Sequence, residues 1–256
     1  MKLGFIGTGQ IAKAVINGIL KSKIKYSKIF ISKRNLKISA ELSRKSKKIL
    51  IIKNNQEIIN KSDWVFLAVT PIVGNKILKD LNFKKGQTVI SFIATIKMNE
   101  LKKYIKVTSK IVRAIPLPPI SLKKGPVPIF PPNNKVKLFF NQIGTTVEIK
   151  NEKSSLNFWA TSSMMAPFYE LLKTLSSWLI SKVIKKKDAQ KYITSLFAAL
   201  SEDAMVNSKK DLKMLVKNSQ TSKGLNEQAV NELRKSGFYK SLIKTTNSVL
   251  KRLTKV

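Results

Sequence analysis

Leu3-Gly4-Phe5-Ile6-Gly7-Thr8-Gly9-Gln10-Ile11-Ala12 takes a short apolar strand straight into a glycine-rich turn. A pyrophosphate must approach backbone closely, and Gly7 and Gly9 stand where a side chain would block that approach. Ala12 is the third small residue, which lets the following helix pack close to the strand. The helix N-terminus then presents N–H groups and the positive end of its dipole to phosphate oxygens. Ile11, Ala14, Val15, Gly18 and Ile19 form a helical apolar stripe, and Lys28–Ser32 reads as the next strand. The three elements make a βαβ unit of about 30 residues, and the spacing predicts a dinucleotide site on Gly7, Thr8, Gly9, Gln10, Ile11 and Ala12.

Composition narrows the chemistry. The 256 residues include no cysteine and no histidine. Disulfides, thiolate ligands, cysteine nucleophiles, histidine-ligated zinc and serine–histidine hydrolysis are all excluded, and no metal site is expected. The formal charge of +35 would by itself suggest nucleic acid. Its distribution argues against that reading. There are 30 basic against 6 acidic residues in 1–150 and 19 against 8 in 151–256, and only five of the basic residues are arginine. This is a lysine-rich solvated surface, attractive to anionic ligands, and no nucleic-acid partner is expected. No apolar run of about 18 residues occurs, so no membrane association and a cytoplasmic location are expected.

Further along, strands are predicted at Leu3–Ile6, Lys28–Ser32, Leu50–Ile52, Trp64–Val69, Thr88–Ile93, Lys110–Ala114 and Thr146–Ile149, with helical or loop spacers. Short, nearly continuous apolar runs are what parallel strands covered on both faces require, which implies a doubly wound α/β sheet over residues 1–150. The prolines between 116 and 132 read as a rigid connection. From 151 to 256 the spacing is helical almost throughout, with segments at 158–184, 187–217, 225–235 and 239–253. The apolar surface on these helices predicts a homodimer, or a ring of dimers, formed through them.

Several pieces, in order and spacing, resemble the pyrroline-5-carboxylate reductase family over essentially the whole chain. The opening glycine turn is similar to the family's, Leu67-Ala68-Val69-Thr70-Pro71 looks like its Leu-Ala-Val-Lys-Pro segment, and Val89-Ile90-Ser91-Phe92-Ile93-Ala94 looks like its fifth strand. Arg113-Ala114-Ile115-Pro116 followed by Pro119 resembles Arg-Ala-Met-Pro-Asn-Thr-Pro. The resemblance implies a Rossmann-type NAD(P)-binding domain, an all-helical C-terminal dimerisation domain, and hydride delivery to the C=N carbon of a cyclic imine, giving proline from pyrroline-5-carboxylate. An iminium already carries its proton, so positioning matters more than a strong acid, which suits a chain without histidine.

Ser32-Lys33-Arg34 follows the second strand, where an NAD-selective site has an acid for the ribose 2′-hydroxyl. A hydroxyl and two cations suit a 2′-phosphate instead, so NADPH is expected over NADH. Asn55, Val69, Thr70, Pro71, Ala94 and Thr95 fall at the carboxyl ends of predicted strands, beside the expected cofactor crevice. The family's substrate loop, Thr-Ser-Pro-Gly-Gly-Thr-Thr, is represented by Thr221-Ser222-Lys223-Gly224-Leu225-Asn226-Glu227. The resemblance makes Thr221, Ser222, Lys223, Gly224 and Asn226 the substrate and catalytic candidates, their helix N-terminus holding a carboxylate. Leu225 and Asn226 replace two threonines, which implies an altered imino-acid substrate. Two other readings are open to the sequence: a catalytically degenerate NADP-binding regulatory protein, and a β-hydroxyacid-dehydrogenase-like oxidoreductase.

Overall fold

Continuous apolar runs become the inner strands of one eight-stranded sheet. The computed structural model describes residues 1–106 and 110–254. β1 (Lys2–Ile6), α1 (Gln10–Leu20), β2 (Lys28–Ser32), α2 (Leu36–Lys45), β3 (Ile49–Ile52), α3 (Asn55–Lys61) and β4 (Trp64–Leu67) alternate as expected. They are followed by α4 (Pro71–Ile77), β5 (Thr88–Ser91), α5 (Met98–Tyr104) and β6 (Lys110–Ala114). The strand order is β3-β2-β1-β4-β5-β6, every neighbouring pair parallel. The chain crosses from one half of the sheet to the other between β1 and β4, which opens a crevice at their carboxyl ends. Helices cover both faces: Val15, Ile16 and Ile19 of α1 pack with Leu42 of α2, whereas Ile58 and Ile59 of α3 join Leu78 and Leu101 in a second cluster. Phe5 stacks on Phe66 at 4.4 Å in the first of these.

The proline-rich stretch holds more than a connection, and here the expectation is corrected. After a 3-10 turn at Pro118–Leu122, β7 (Pro126–Phe130) adds to β6 in antiparallel sense through Arg113 opposite Phe130 and Ala114 opposite Ile129. α6 (Asn134–Phe140) then leads to β8 (Thr145–Glu148), parallel to β7. Proline is normally excluded from an inner strand because it lacks a donor. Gly125 and Ile129 accept bonds from the β8 side, at Thr145 and Ile149, whereas Pro128 accepts from Ile115 on the β6 side. Pro126 and Pro128 therefore turn their donor-less nitrogens toward β6, where the ladder is only two residues long. β4 and β5 also stop two residues early; Ser91 ends β5 with its Oγ accepting the Ile93 N–H at 3.2 Å.

The two compact units divide between Trp159 and Ala160, inside α7 (Glu152–Ser162) and beyond the boundary expected at 150/151. The first residues of α7 stay with the sheet because Ser155 and Trp159 are buried there. Among its described residues the second unit holds helices joined by short turns and no strand: α8 (Met165–Ser181), α9 (Lys186–Val206), α10 (Leu212–Asn218), α11 (Leu225–Lys235) and α12 (Phe238–Thr254). The segment expected as one helix at 158–184 breaks at Ser163, and that at 187–217 breaks between Val206 and Leu212. From Ala160 to Thr254 only Ala160, Ser176, Ala189 and Ile193 are buried in the single chain, while Trp178 and Tyr192 are 58% and 62% exposed. No helix is long and apolar enough to cross a membrane among the described residues.

Candidate functional site

The glycine turn at the carboxyl end of β1 is held by the end of β2. Gly7 has φ +99°, and a Cβ there would lie 2.4 Å from the Ala68 carbonyl oxygen, so only glycine fits. Ser32 Oγ accepts the Gly7 N–H at 3.0 Å. Thr8 Oγ1 donates to the Ser32 carbonyl at 3.0 Å and accepts the Asn35 N–H at 3.3 Å, and Asn35 Oδ1 in turn caps α2 through the Ile38 N–H. Ser32, expected on a 2′-phosphate, is thus 4% exposed with its hydroxyl bonded to the turn. It braces the loop, as does Thr8, and both residues also line the recesses at this edge of the sheet. Gly9 is different: it is the N-cap of α1, with φ −80°, and a Cβ built on it meets nothing within 4 Å. That space over the first turn of α1 is what an approaching pyrophosphate needs. Gln10 is exposed, Ile11 half-buried, and Ala12 lies fully in the core.

A groove of about 500 Å³ runs over Ile6 and Gly7 between the ends of β2 and β3 on one side and α4 on the other. Lys33, Arg34, Lys53 and Asn55 line its polar side, and Leu36, Val69, Val73 and Ile77 its apolar side. An adjoining recess of similar volume shares Gly7, Arg34 and Val69 and adds Thr8, Gly9 and Thr70. Lys33, Arg34 and Lys53 make no ion pair among the described residues, so their charge faces the groove uncompensated. Lys53, Leu36, Val73 and Ile77 were not singled out from the sequence. A lone lysine after a strand carries no motif, the exposed Leu36 at the start of α2 looks like ordinary surface, and the half-buried Val73 and Ile77 of α4 look like ordinary helix packing. Thr70 is the N-cap of α4 and Pro71 its first residue, so this segment fixes the helix whose Val73 and Ile77 form the groove wall.

Ala94 and Thr95 line neither recess. The Ala94 carbonyl instead accepts a bond from Arg113 Nη2, and Arg113 pairs through Nη1 with Glu152. In the helical unit, Gly224 is the N-cap of α11 and its N–H donates to the Thr221 carbonyl at 2.8 Å. A Cβ on Gly224 would sit 2.2 Å from Thr221 Oγ1; the glycine is required by its own turn. Lys223 has φ +58°, and its N–H donates to the Glu227 carboxylate at 2.6 Å. Asn226 Nδ2 donates to the Ser219 carbonyl at 2.8 Å, a bond that ties α11 to the end of α10. Thr221 and Ser222 line a recess of about 490 Å³ that also holds Lys213, Lys217 and Arg234. Lys223, Gly224 and Asn226 do not line it.

Two family models match the chain: "NADP oxidoreductase coenzyme F420-dependent" over residues 2–95 and "Pyrroline-5-carboxylate reductase dimerisation" over residues 157–256. Among relatives, pyrroline-5-carboxylate reductase 3 of Danio rerio is 31% identical over 129 residues, 49% of this chain and 44% of that protein. The chain spans less than half of that relative. The Haemophilus influenzae pyrroline-5-carboxylate reductase is 26% identical over 232 residues, covering 87% of this chain and 84% of the relative. The solved Plasmodium falciparum pyrroline carboxylate reductase with NADP bound shares the fold at TM-score 0.82, with 20% identity over 99% of this chain and 97% of that one.

A β3-β2-β1-β4-β5-β6 sheet with a glycine turn at its switch point, followed by an all-helical unit, defines a two-unit, dinucleotide-dependent oxidoreductase. Its C-terminal part matches the pyrroline-5-carboxylate reductase dimerisation family, its N-terminal part an NADP oxidoreductase family, and the chain as a whole is similar to pyrroline-5-carboxylate reductases.

Proposed function

We propose that this protein is an NADPH-dependent reductase of the C=N bond in a small cyclic imine bearing a carboxylate, pyrroline-5-carboxylate being the first substrate to test. The observation that carries the reading is the groove itself. It joins an unfilled approach over Gly9 to three uncompensated cations and no acid. A 2′-phosphate is a dianion, so Lys33, Arg34 and Lys53 favour NADPH over NADH by charge, and Arg34 adds a planar fork of donors. Leu36, Val73 and Ile77 offer apolar surface to an adenine ring, and Asn55 a polar edge. Bound NADPH supplies the hydride. The protein's part is to hold the reacting carbon in line and to exclude water, and a protonated imine needs no separate acid.

For the substrate, Thr221 and Ser222 provide hydroxyls at the turn before α11, with Lys213, Lys217 and Arg234 beside them and one carboxylate, Glu227, in the same recess, so that cations outnumber acids there three to one. This supports an anionic substrate. Lys223, Gly224 and Asn226 are assigned to the shape of that turn, with Glu227 occupying the Lys223 N–H. The relatives favour the reductase over the regulatory and β-hydroxyacid dehydrogenase readings. The dimerisation family match and the coreless helical unit support a homo-oligomer, which we read as a dimer or a ring of dimers through α8–α12. The test is NADPH oxidation by the purified protein with pyrroline-5-carboxylate and with carboxylated and uncharged cyclic imines. Turnover restricted to carboxylated imines is expected; no turnover of any of them, with NADPH bound, overturns the proposal.

A further inference from the structure

Arg113, on β6, is 3% exposed. Burial lowers its pKa and the Glu152 carboxylate raises it. Burying a guanidinium is strongly destabilising unless it is paired and hydrogen-bonded, and an apolar side chain of similar volume is often as stable. The particular partners are therefore informative. Nη1 pairs with Glu152 Oε1, Nη2 donates to the Ala94 carbonyl, and the guanidinium lies over the Trp159 ring with 4.6 Å to its centroid. Glu152 Oε1 also accepts the Met98 N–H at 2.7 Å, at the start of α5. One ion pair thus grips the β5–α5 segment at both ends, at Ala94 and at Met98.

That segment leaves the carboxyl end of β5, the strand next to β4. In an open parallel sheet this edge borders the crevice where ligands bind. Across the sheet, the groove at β2 and β3 carries the cations for the adenosine end. The Ala94–Met98 rim stands on the other side of the switch point, toward the reacting end of a dinucleotide. Arg113 sends one donor to the rim at Ala94 and a second, in a fixed direction, to Glu152, which in turn holds Met98, a fork that the single ammonium of a lysine does not reproduce.

We infer that Arg113 and Glu152 are positioning residues for the hydride-transferring end of the cofactor, acting through the Ala94–Met98 rim that their ion pair holds. The inference rests on the proposed dinucleotide reading, and its test separates the two halves of the ligand. Arg113→Lys, Arg113→Met and Glu152→Gln are compared with the wild-type protein. Each is titrated with 2′,5′-ADP, which contacts only the adenosine end, and with NADPH, followed by its own fluorescence. Turnover of the imine is then measured with NADPH and with NADPH deuterated at C4. The expected result is 2′,5′-ADP affinity within about twofold of wild type and kcat lower by about tenfold or more, since misplacement by about 1 Å is worth up to about a hundredfold. The deuterium isotope effect should rise, and Arg113→Lys should fall between wild type and Arg113→Met.

Wild-type turnover and isotope effect in folded variants overturn the inference. So does parallel loss of both ligands, or failure of all three variants to fold, each of which marks a role in the fold rather than in placement. If the wild-type protein reduces no imine, the proposed reaction fails, while the ratio of NADPH to 2′,5′-ADP affinity still decides the role of the pair.

Discussion

Replacing Gly7 by alanine and Gly9 by valine separates the two jobs of a single turn. At Gly7 the added Cβ enters a backbone with φ +99° and meets the Ala68 carbonyl oxygen at 2.4 Å and Val69 Cγ1 at 2.8 Å. Left-handed backbone strain costs about 1–2 kcal/mol, and overpacking against buried neighbours about 1–3 kcal/mol more. The sum, about 2–5 kcal/mol, is a large part of the roughly 5–15 kcal/mol by which domains are stable. At about 2–4 °C per kcal/mol for a chain of this size, a middle value lowers the melting temperature by about 10 °C. Gly9 has φ −80° and ψ −174°, which valine adopts, and no atom stands within 4 Å of the new Cβ. Its stability loss is limited to a weaker N-cap, about 1 kcal/mol.

Cofactor binding should respond in the opposite order. The valine side chain fills the approach over α1, and loss of charge-assisted phosphate contacts is worth about 1.5–3 kcal/mol, or roughly tenfold to hundredfold in Kd. Thermal melts without ligand, at one protomer concentration because assembly shifts Tm, are set beside NADPH fluorescence titrations. Gly9→Val should melt within a few degrees of wild type and bind NADPH poorly. A Gly9→Val protein with wild-type NADPH affinity, or one as destabilised as Gly7→Ala, refutes the assignment of that space to the cofactor.

Lys53→Glu should weaken NADPH by about tenfold or more while leaving NADH nearly unchanged, because only the 2′-phosphate meets the groove's cations; equal changes for both cofactors in competition titrations count against it. Raising the salt concentration should shrink the NADPH advantage of the wild-type protein, since exposed charges are screened. Ile243 is 65% exposed on α12, and Ile243→Glu should shift light scattering toward the monomer and lower Tm. Glu41 bridges Lys13 of α1 and Lys45 of α2, and its hydrogen bonds to Lys13 and Lys45 hold its pKa below the ordinary carboxylate value. Its contribution is full above that ordinary value and disappears as pH falls through the lowered one, so Glu41→Gln should destabilise slightly in neutral urea melts and not in strongly acidic ones.

The sheet was legible in the sequence wherever strands are buried on both faces, because Phe5-Ile6, Ile29-Phe30-Ile31 and Val65-Phe66-Leu67 leave no polar position to solvate. β7 escaped because its prolines mimic a linker. Only the bonds of Gly125, Pro128 and Ile129 reveal that the missing donors face the short side of the ladder, and no local pattern encodes that. The end of helical residues packed with the sheet was hidden for a similar reason: Trp159 belongs there through burial beside Arg113, not through a break in helical spacing.

At the site, what a motif fixes by backbone conformation was readable, and what it fixes by long-range pairing was not. Gly7 and Gly9 announce themselves because few other residues serve there. Ser32 reads as a ligand contact, and the structure adds a second role that no local pattern encodes: its Oγ accepts the Gly7 N–H while the residue lines the groove. Glu152 and Arg113 are 39 residues apart and share no pattern; their relation exists only once β6 and α7 are in place. Asn226 shows the converse. Read as a substitution for a threonine, it pointed to a changed substrate, yet its amide is bonded to the Ser219 carbonyl across the α10–α11 turn. The altered residue therefore helps to set the shape of the loop that carries Thr221 and Ser222, so under the proposed function part of any change in substrate choice is expected to act through that shape.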